Sequence, residues 1–359
     1  MSVALAAKTV EVADLEAAVE HCYEQGWTDG LPVVPPTEPA IRRILEYLAL
    51  DPQKVIGVIP PRNGIATIEK IAINCVMAGC KPQHVPIVIA ALEAMLEPEF
   101  NLVGVQTTTN PCAPLVMVSG PVVRSLGFNT KDCAIGHGSR SNGAVGRAIR
   151  LILWNIGGGF PGEPCRTTHG HPGYWSYCVA EDDETCPWDS LHVSQGAARD
   201  ESAVTVIAVD GPHATNTGAL LNTADQVFTV LAVGVARLGS NNMLGGSMAL
   251  ILSPMSAKRL AEAGYTRRAV ADEVARRSTR PAGELRQHRF VDHMLPAQRA
   301  RLDALGDSEP FAYFTDAEGI IVLVTGSWGA VGGYAAICPG WGHFGGHPQS
   351  RIIQFPNRG

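Results

Sequence analysis

The chain has 359 residues, 46% hydrophobic and 17% charged, with a formal net charge of -6. Such a composition builds a sizeable core and excludes intrinsic disorder, and the mild acidity gives no field that would gather nucleic acid or anionic lipid. No run reaches the roughly 18 apolar residues of a membrane helix and the first residues lack a basic, apolar leader, so the expectation is a cytoplasmic protein with a small-molecule substrate, no membrane and no nucleic acid.

In chain order, Asp14 is placed to cap a helix over "LEAAVEHCYEQ", which Gly26 ends. "GWTDGLPVVPPT" follows, its prolines stiffening the backbone by fixing φ, and Thr37 opens a helix over "EPAIRRILEYLAL". "KVIGVIP" reads as a strand, "ATIEKIAINCVMAGC" and "HVPIVIAALEAML" as helices, and "NLVGVQTTT" and "PLVMVSGP" as strands. "NGAVGRAIRLILWNIGGG" predicts a helix with Asn142 as N-cap. Residues 157–200 are rich in Gly, Pro, Cys and His and read as long loops around one strand, "YWSYCVA".

A second set follows: strand "AVTVIAV", helix "LLNTADQVFTVLAVGVARLG", strand "SMALILS", helices "PMSAKRLAEAG" and "RRAVADEVARRS", and strand "GIIVLVTG". The expected fold is α/β: two similar-sized lobes, 1–160 and 201–359, joined by a loop-rich connector at 161–200. Internal duplication is one reading of the recurring pattern, although no residue-level repeat supports it. Nine cysteines, Cys22, Cys75, Cys80, Cys112, Cys133, Cys165, Cys178, Cys186 and Cys338, lack compact disulfide spacing, so most are expected as free thiols.

Several stretches carry candidate chemistry. In "GHGSRSNGAVGRAIR" the glycines have P-loop spacing, but Ala144 and Val145 stand where Lys and Ser/Thr belong. What remains is a glycine-rich helix entry with Arg140, Arg147 and Arg150, able to hold a carboxylate or phosphate or, more simply, a capped helix with solvated arginines. Cys338, His343 and His347 in "CPGWGHFGGH" could ligate zinc or copper, with His169 and His171 of "HGH" nearby in composition; plain loop histidines are the alternative. Cys80 and Cys112 are the thiol candidates and Glu69 the acid/base candidate, against inert burial and helix-dipole compensation respectively. Of the acidic "EDDE", Glu181 adjoins a strand. The basic residues between Lys258 and Arg289 read as a wet helical face.

Taken together, "GWTDGLPVVPPT", "ATIEKIAINCVMAGC", "RSNGAVGRAIRLILWNIGG" and "YCVAEDDETCPWDSLHV" resemble the UGSC-motif (seleno)protein group of largely uncharacterised bacterial proteins, over about residues 20 to 210. By matching position the resemblance implies roles for Trp27, Asp29 and Gly30; Glu69, Lys70, Asn74 and Cys80; Arg140, Asn142 and Arg147; and Glu181. The chain has no U-G-S-C or C-G-S-C string, so a catalytic selenol or its cysteine substitute is not implied. Ser141, Gly143 and Cys186 also depart from the pattern.

The expected activity is that of a lyase or oxidoreductase on a small anionic metabolite, making or breaking a C–S or C–N bond. Asp29, Glu69, Cys80 and Cys112 would act in catalysis, and Trp27, Asn74, Arg140, Asn142, Arg147 and Glu181 in binding. The alternatives are a non-catalytic carrier subunit for a partner redox protein and a metalloenzyme on Cys338, His343 and His347. A homo-oligomer is compatible with each.

Overall fold

The computed structural model describes residues 5–218, 220–328 and 333–356. Asp14 caps α1 (Leu15–Glu24) by accepting from the Ala17 amide, and Thr37 precedes α2 (Glu38–Leu48). The hairpin of β1 (Val55–Ile59) and β2 (Gly64–Thr67) leads into α3 (Ile68–Met77), then α4 (Val85–Met95). Residues 102–107, expected as strand, instead form α5 (Leu102–Thr107). Asn101 accepts from the Gly104 amide, and Leu102, Val105 and Gln106 are all buried at spacings of three and four. Helical periodicity and a capping side chain outweigh the two valines here.

Next come β3 (Ala113–Ser119), α6 (Val122–Ser125) and α7 (Arg140–Asn155). Ser139, not Asn142, caps α7. The chain continues through β4 (Cys178–Ala180), α8 (Leu191–Ser194), β5 (Ala203–Val209), β6 (His213–Asn216), α9 (Ala224–Val235) and β7 (Met248–Leu252). It ends with α10 (Pro254–Glu262), α11 (Arg267–Arg277), β8 (Thr279–Pro281), α12 (Ala282–Gln287), α13 (Pro296–Asp303), β9 (Pro310–Ala312), β10 (Ile320–Val324), β11 (Tyr334–Pro339) and β12 (Gln349–Ile352).

The fold is α/β, built on two four-stranded sheets in the orders β12-β5-β3-β4 and β10-β7-β11-β6. Each has one parallel pair, β3 with β4 and β7 with β10, and two antiparallel ones. The sheets exchange edge strands. β6 follows β5 in the chain but pairs with β11, and β12 follows β11 but pairs with β5. The boundary expected across 161–200 therefore does not separate the sheets: β5 and β12, from the C-terminal part, lie in the first, so neither part is a self-contained lobe.

Strand alternation sorts the side chains into layers. Leu115 and Met117 of β3 pack with Ala249 and Ile251 of β7 between the sheets. Val116 and Val118 face α3, α4 and α7 on one side, while Leu250 and Leu252 face α9, α10 and α11 on the other. The result is helices, sheet, sheet, helices. No helix among the described residues is long and apolar enough to cross a membrane.

Candidate functional site

The stretch that follows α1 is clasped onto α7. Arg147 donates to both carboxylate oxygens of Asp29 (3.1 and 2.8 Å), to the Leu31 carbonyl (2.9 Å) and to the Pro32 carbonyl (2.8 Å). Trp154 donates to the Gly26 carbonyl, and Asn155 to the Trp27 carbonyl and to Asn74 Oδ1 (2.8 Å). Trp27, Asp29, Asn74 and Arg147 thus meet as expected, but for a different purpose. The Asp29 side chain is only 2% exposed and its charge is matched by Arg147. These groups hold a proline-stiffened segment in place and leave no free guanidinium edge for a ligand.

The other expected residues are likewise engaged within the protein. Glu69 accepts from the amides of Ala6 and Ala7 and from Gln53, anchoring the N-terminal segment. Arg140, exposed, donates to the Gly79 carbonyl, and Asn142 ties the turn at Asn129. Cys80 is buried against the Ala144 carbonyl. Glu181, fully buried, accepts from Arg267 (2.6 Å) and the Leu191 amide, and Arg267 also donates to Val322 of β10. That bridge links the parallel edge strands of the two sheets. Burial pushes the Glu181 carboxyl up, against the pull of Arg267.

The cysteine and histidines expected at a metal centre are not gathered. Cys338 lies between the sheets, where Tyr177 donates to it (3.4 Å), whereas His343 sits in an exposed turn. Among the described residues no group of three His, Cys, Asp or Glu side chains is placed to hold a metal ion.

A different constellation forms where α5, the start of β3, the inner face of α7 and the 165–174 loop converge. Gln106, Cys112, Arg150, Gly159, Cys165 and Tyr174 line an enclosed cavity with room for about one water-sized group. Arg150 sits among the apolar residues of α7 with its guanidinium 5.3 Å from the Tyr174 ring centre. Its Nε is sealed from solvent without a hydrogen-bond partner, and no described residue forms an ion pair with it. Burial lowers its pKa, yet a guanidinium remains charged in any such setting.

Around this cation the walls are well defined. Tyr174 donates to the Cys112 carbonyl (2.9 Å). Ala113 pairs with Val209, so Cys112 and Asp210 fall opposite one another just beyond the β3–β5 ladder. Burial, with a smaller push from Asp210 and Cys165, raises the Cys112 thiol to about 12. His171 packs edge-on against Tyr174 and Tyr177. Its Nδ1 accepts from the Gly173 amide, so the neutral ring carries its proton on Nε2, and burial keeps it neutral by lowering its pKa.

On the other face of the same segment, Thr108, Thr109 and Asn110 line an open cleft opposite Ser240, Leu244 and Trp341. Thr167 and Thr168 fasten this wall by donating to the carbonyls of Asn110 and Thr109. Of the cavity residues, the sequence pointed to Cys112 and noted Arg150 only as one of three arginines. Its available signal was an arginine inside the apolar run "AIRLILW", on the same helical face as Gly146. Gln106, Cys165, Tyr174 and Asp210 carried none. No protein-family model matches the chain, and no curated protein matches it either.

Proposed function

We propose that the protein is an enzyme acting on a small anionic metabolite, with Arg150 holding the anionic group beside the Cys112 thiol and the Tyr174 phenol. One observation carries this reading: the Arg150 guanidinium lines a cavity, its Nε is sealed from solvent without a hydrogen-bond partner, and it forms no ion pair with any described residue. A partly buried charge left unpaired is unfavourable, and an anion seated against Arg150 offsets that cost. The cavity as it stands has room for about one water-sized group, so even a small carboxylate requires its walls to give, and a nucleotide is excluded. Cys112 and Tyr174, both held protonated by burial, supply exchangeable protons for making or breaking a C–S or C–N bond. We extend the proposal to kinship with the UGSC-motif group, on the four stretches that resemble it.

The raised Cys112 thiol favours a second reading, a non-catalytic carrier that presents the anion to a partner redox protein. Turnover by the isolated chain separates the two. The shared premise is tested by replacing Arg150→Met and following thermal unfolding with millimolar acetate, using chloride as control. Acetate is expected to stabilise the wild-type chain and not the variant, while the variant alone is at least as stable as wild type. Equal stabilisation of both, or none of either, would remove Arg150 as the anchor.

A further inference from the structure

The cavity contains a second unmatched group, of opposite hydrogen-bonding character. Gln106, 5% exposed, projects from the buried face of α5. Its Nε2 donates to the Pro60 carbonyl, which fixes the amide: the flipped rotamer would set two oxygens against each other. Oε1 is thereby the atom left over, sealed from solvent and without a donor among the described residues. Gly159 makes this possible, since a Cβ there would collide with Oε1. A buried acceptor left unsatisfied loses its hydration without recompense, so a group held in that position needs a structural or ligand-side reason.

The geometry points to Gln106 as the specificity-determining residue for a carboxylate that bears an O–H or N–H donor on the adjacent carbon. This rests on the anion-anchor reading of Arg150. The guanidinium offers donors only and must meet acceptors, whereas Gln106 Oε1 offers an acceptor only and must meet a donor. A simple carboxylate satisfies the first group and leaves the second orphaned. A 2-hydroxy or 2-amino acid of two or three carbons satisfies both. The cavity has room for about one water-sized group as it stands, so admitting such an acid requires the Arg150 side chain to give way.

The test is calorimetric titration of the full chain with acetate, glycolate and fluoroacetate; fluorine matches the hydroxyl in size but donates nothing. Glycolate is expected to bind about tenfold more tightly than either of the others, the usual worth of satisfying one buried acceptor. In Gln106→Leu that preference is expected to vanish, glycolate then binding no more tightly than acetate or fluoroacetate. Equal wild-type affinity for all three overturns the role of Gln106 while sparing Arg150. A preference that persists in Gln106→Leu overturns it as well, and failure of all three to bind overturns both assignments. The glycolate–fluoroacetate comparison needs no variant, so it decides the matter even if Gln106→Leu does not fold.

Discussion

Arg147 and Arg150 stand three residues apart on α7 and have opposite fates. Arg147 makes four hydrogen bonds, two of them to a carboxylate that is itself nearly inaccessible. Arg150, partly buried with its Nε sealed from solvent, makes none to any described residue and lies over the Tyr174 ring. Residue type and helix are the same, so the difference lies in what the fold brings opposite each one. A saturated arginine fixes architecture; an unsaturated one next to a cavity is available to a ligand.

The contrast breaks most visibly at the clasp. Arg147→Ala leaves the Asp29 carboxylate buried without its partner, and we expect a loss of about 3–5 kcal/mol in denaturant unfolding. A loss below about 1 kcal/mol would mean that the clasp is no more than a surface contact.

The entry to the same helix sharpens the comparison through pH. His84, packed beside Ser141, is lowered to about 4, by burial first and then by Arg140 and Lys81. Between that value and the ordinary 6.5 the unfolded chain binds the extra proton, so stability rises with pH through this window and is lost as pH falls from 6.5 to 4. The loss attributable to His84 is on the order of 3 kcal/mol, and His84→Gln should flatten the unfolding free energy over this range.

A smaller effect is expected at the cavity wall. With its thiol buried and raised to about 12, Cys112 in the native chain should be alkylated by iodoacetamide at about pH 8 at least roughly tenfold more slowly than the exposed Cys133, read by peptide mass spectrometry. Labelling of Cys112 as fast as that of Cys133 would reveal an accessible, activated thiolate and count against the carrier reading.

The sequence made parts of this legible for physical reasons. Strands such as "PLVMVSG" and "AVTVIAV" are continuously apolar because both faces are covered, and α2 repeats its apolar residues every three to four positions because one face is. "HATN" and "QSRI" carry no such signal. They become strands through pairing with distant partners, and a pattern read along the chain does not contain that information. In the same way, the sequence brought Trp27, Asp29, Asn74 and Arg147 together but not their mutual saturation. It placed Gln106 in a strand, and so gave no sign that the residue lines the same cavity as Arg150.

The exchanged edges also order events in time. Val206 pairs with Gln349, and Asn216 with Tyr334, across long stretches of intervening chain. Such distant closure is slow, because loop entropy is lost before the ladder forms. Until residues 349–352 dock, β5 presents a bare row of amides and carbonyls to any other chain nearby. The maturing molecule therefore has one adhesive flank, and its own last strand is what seals it.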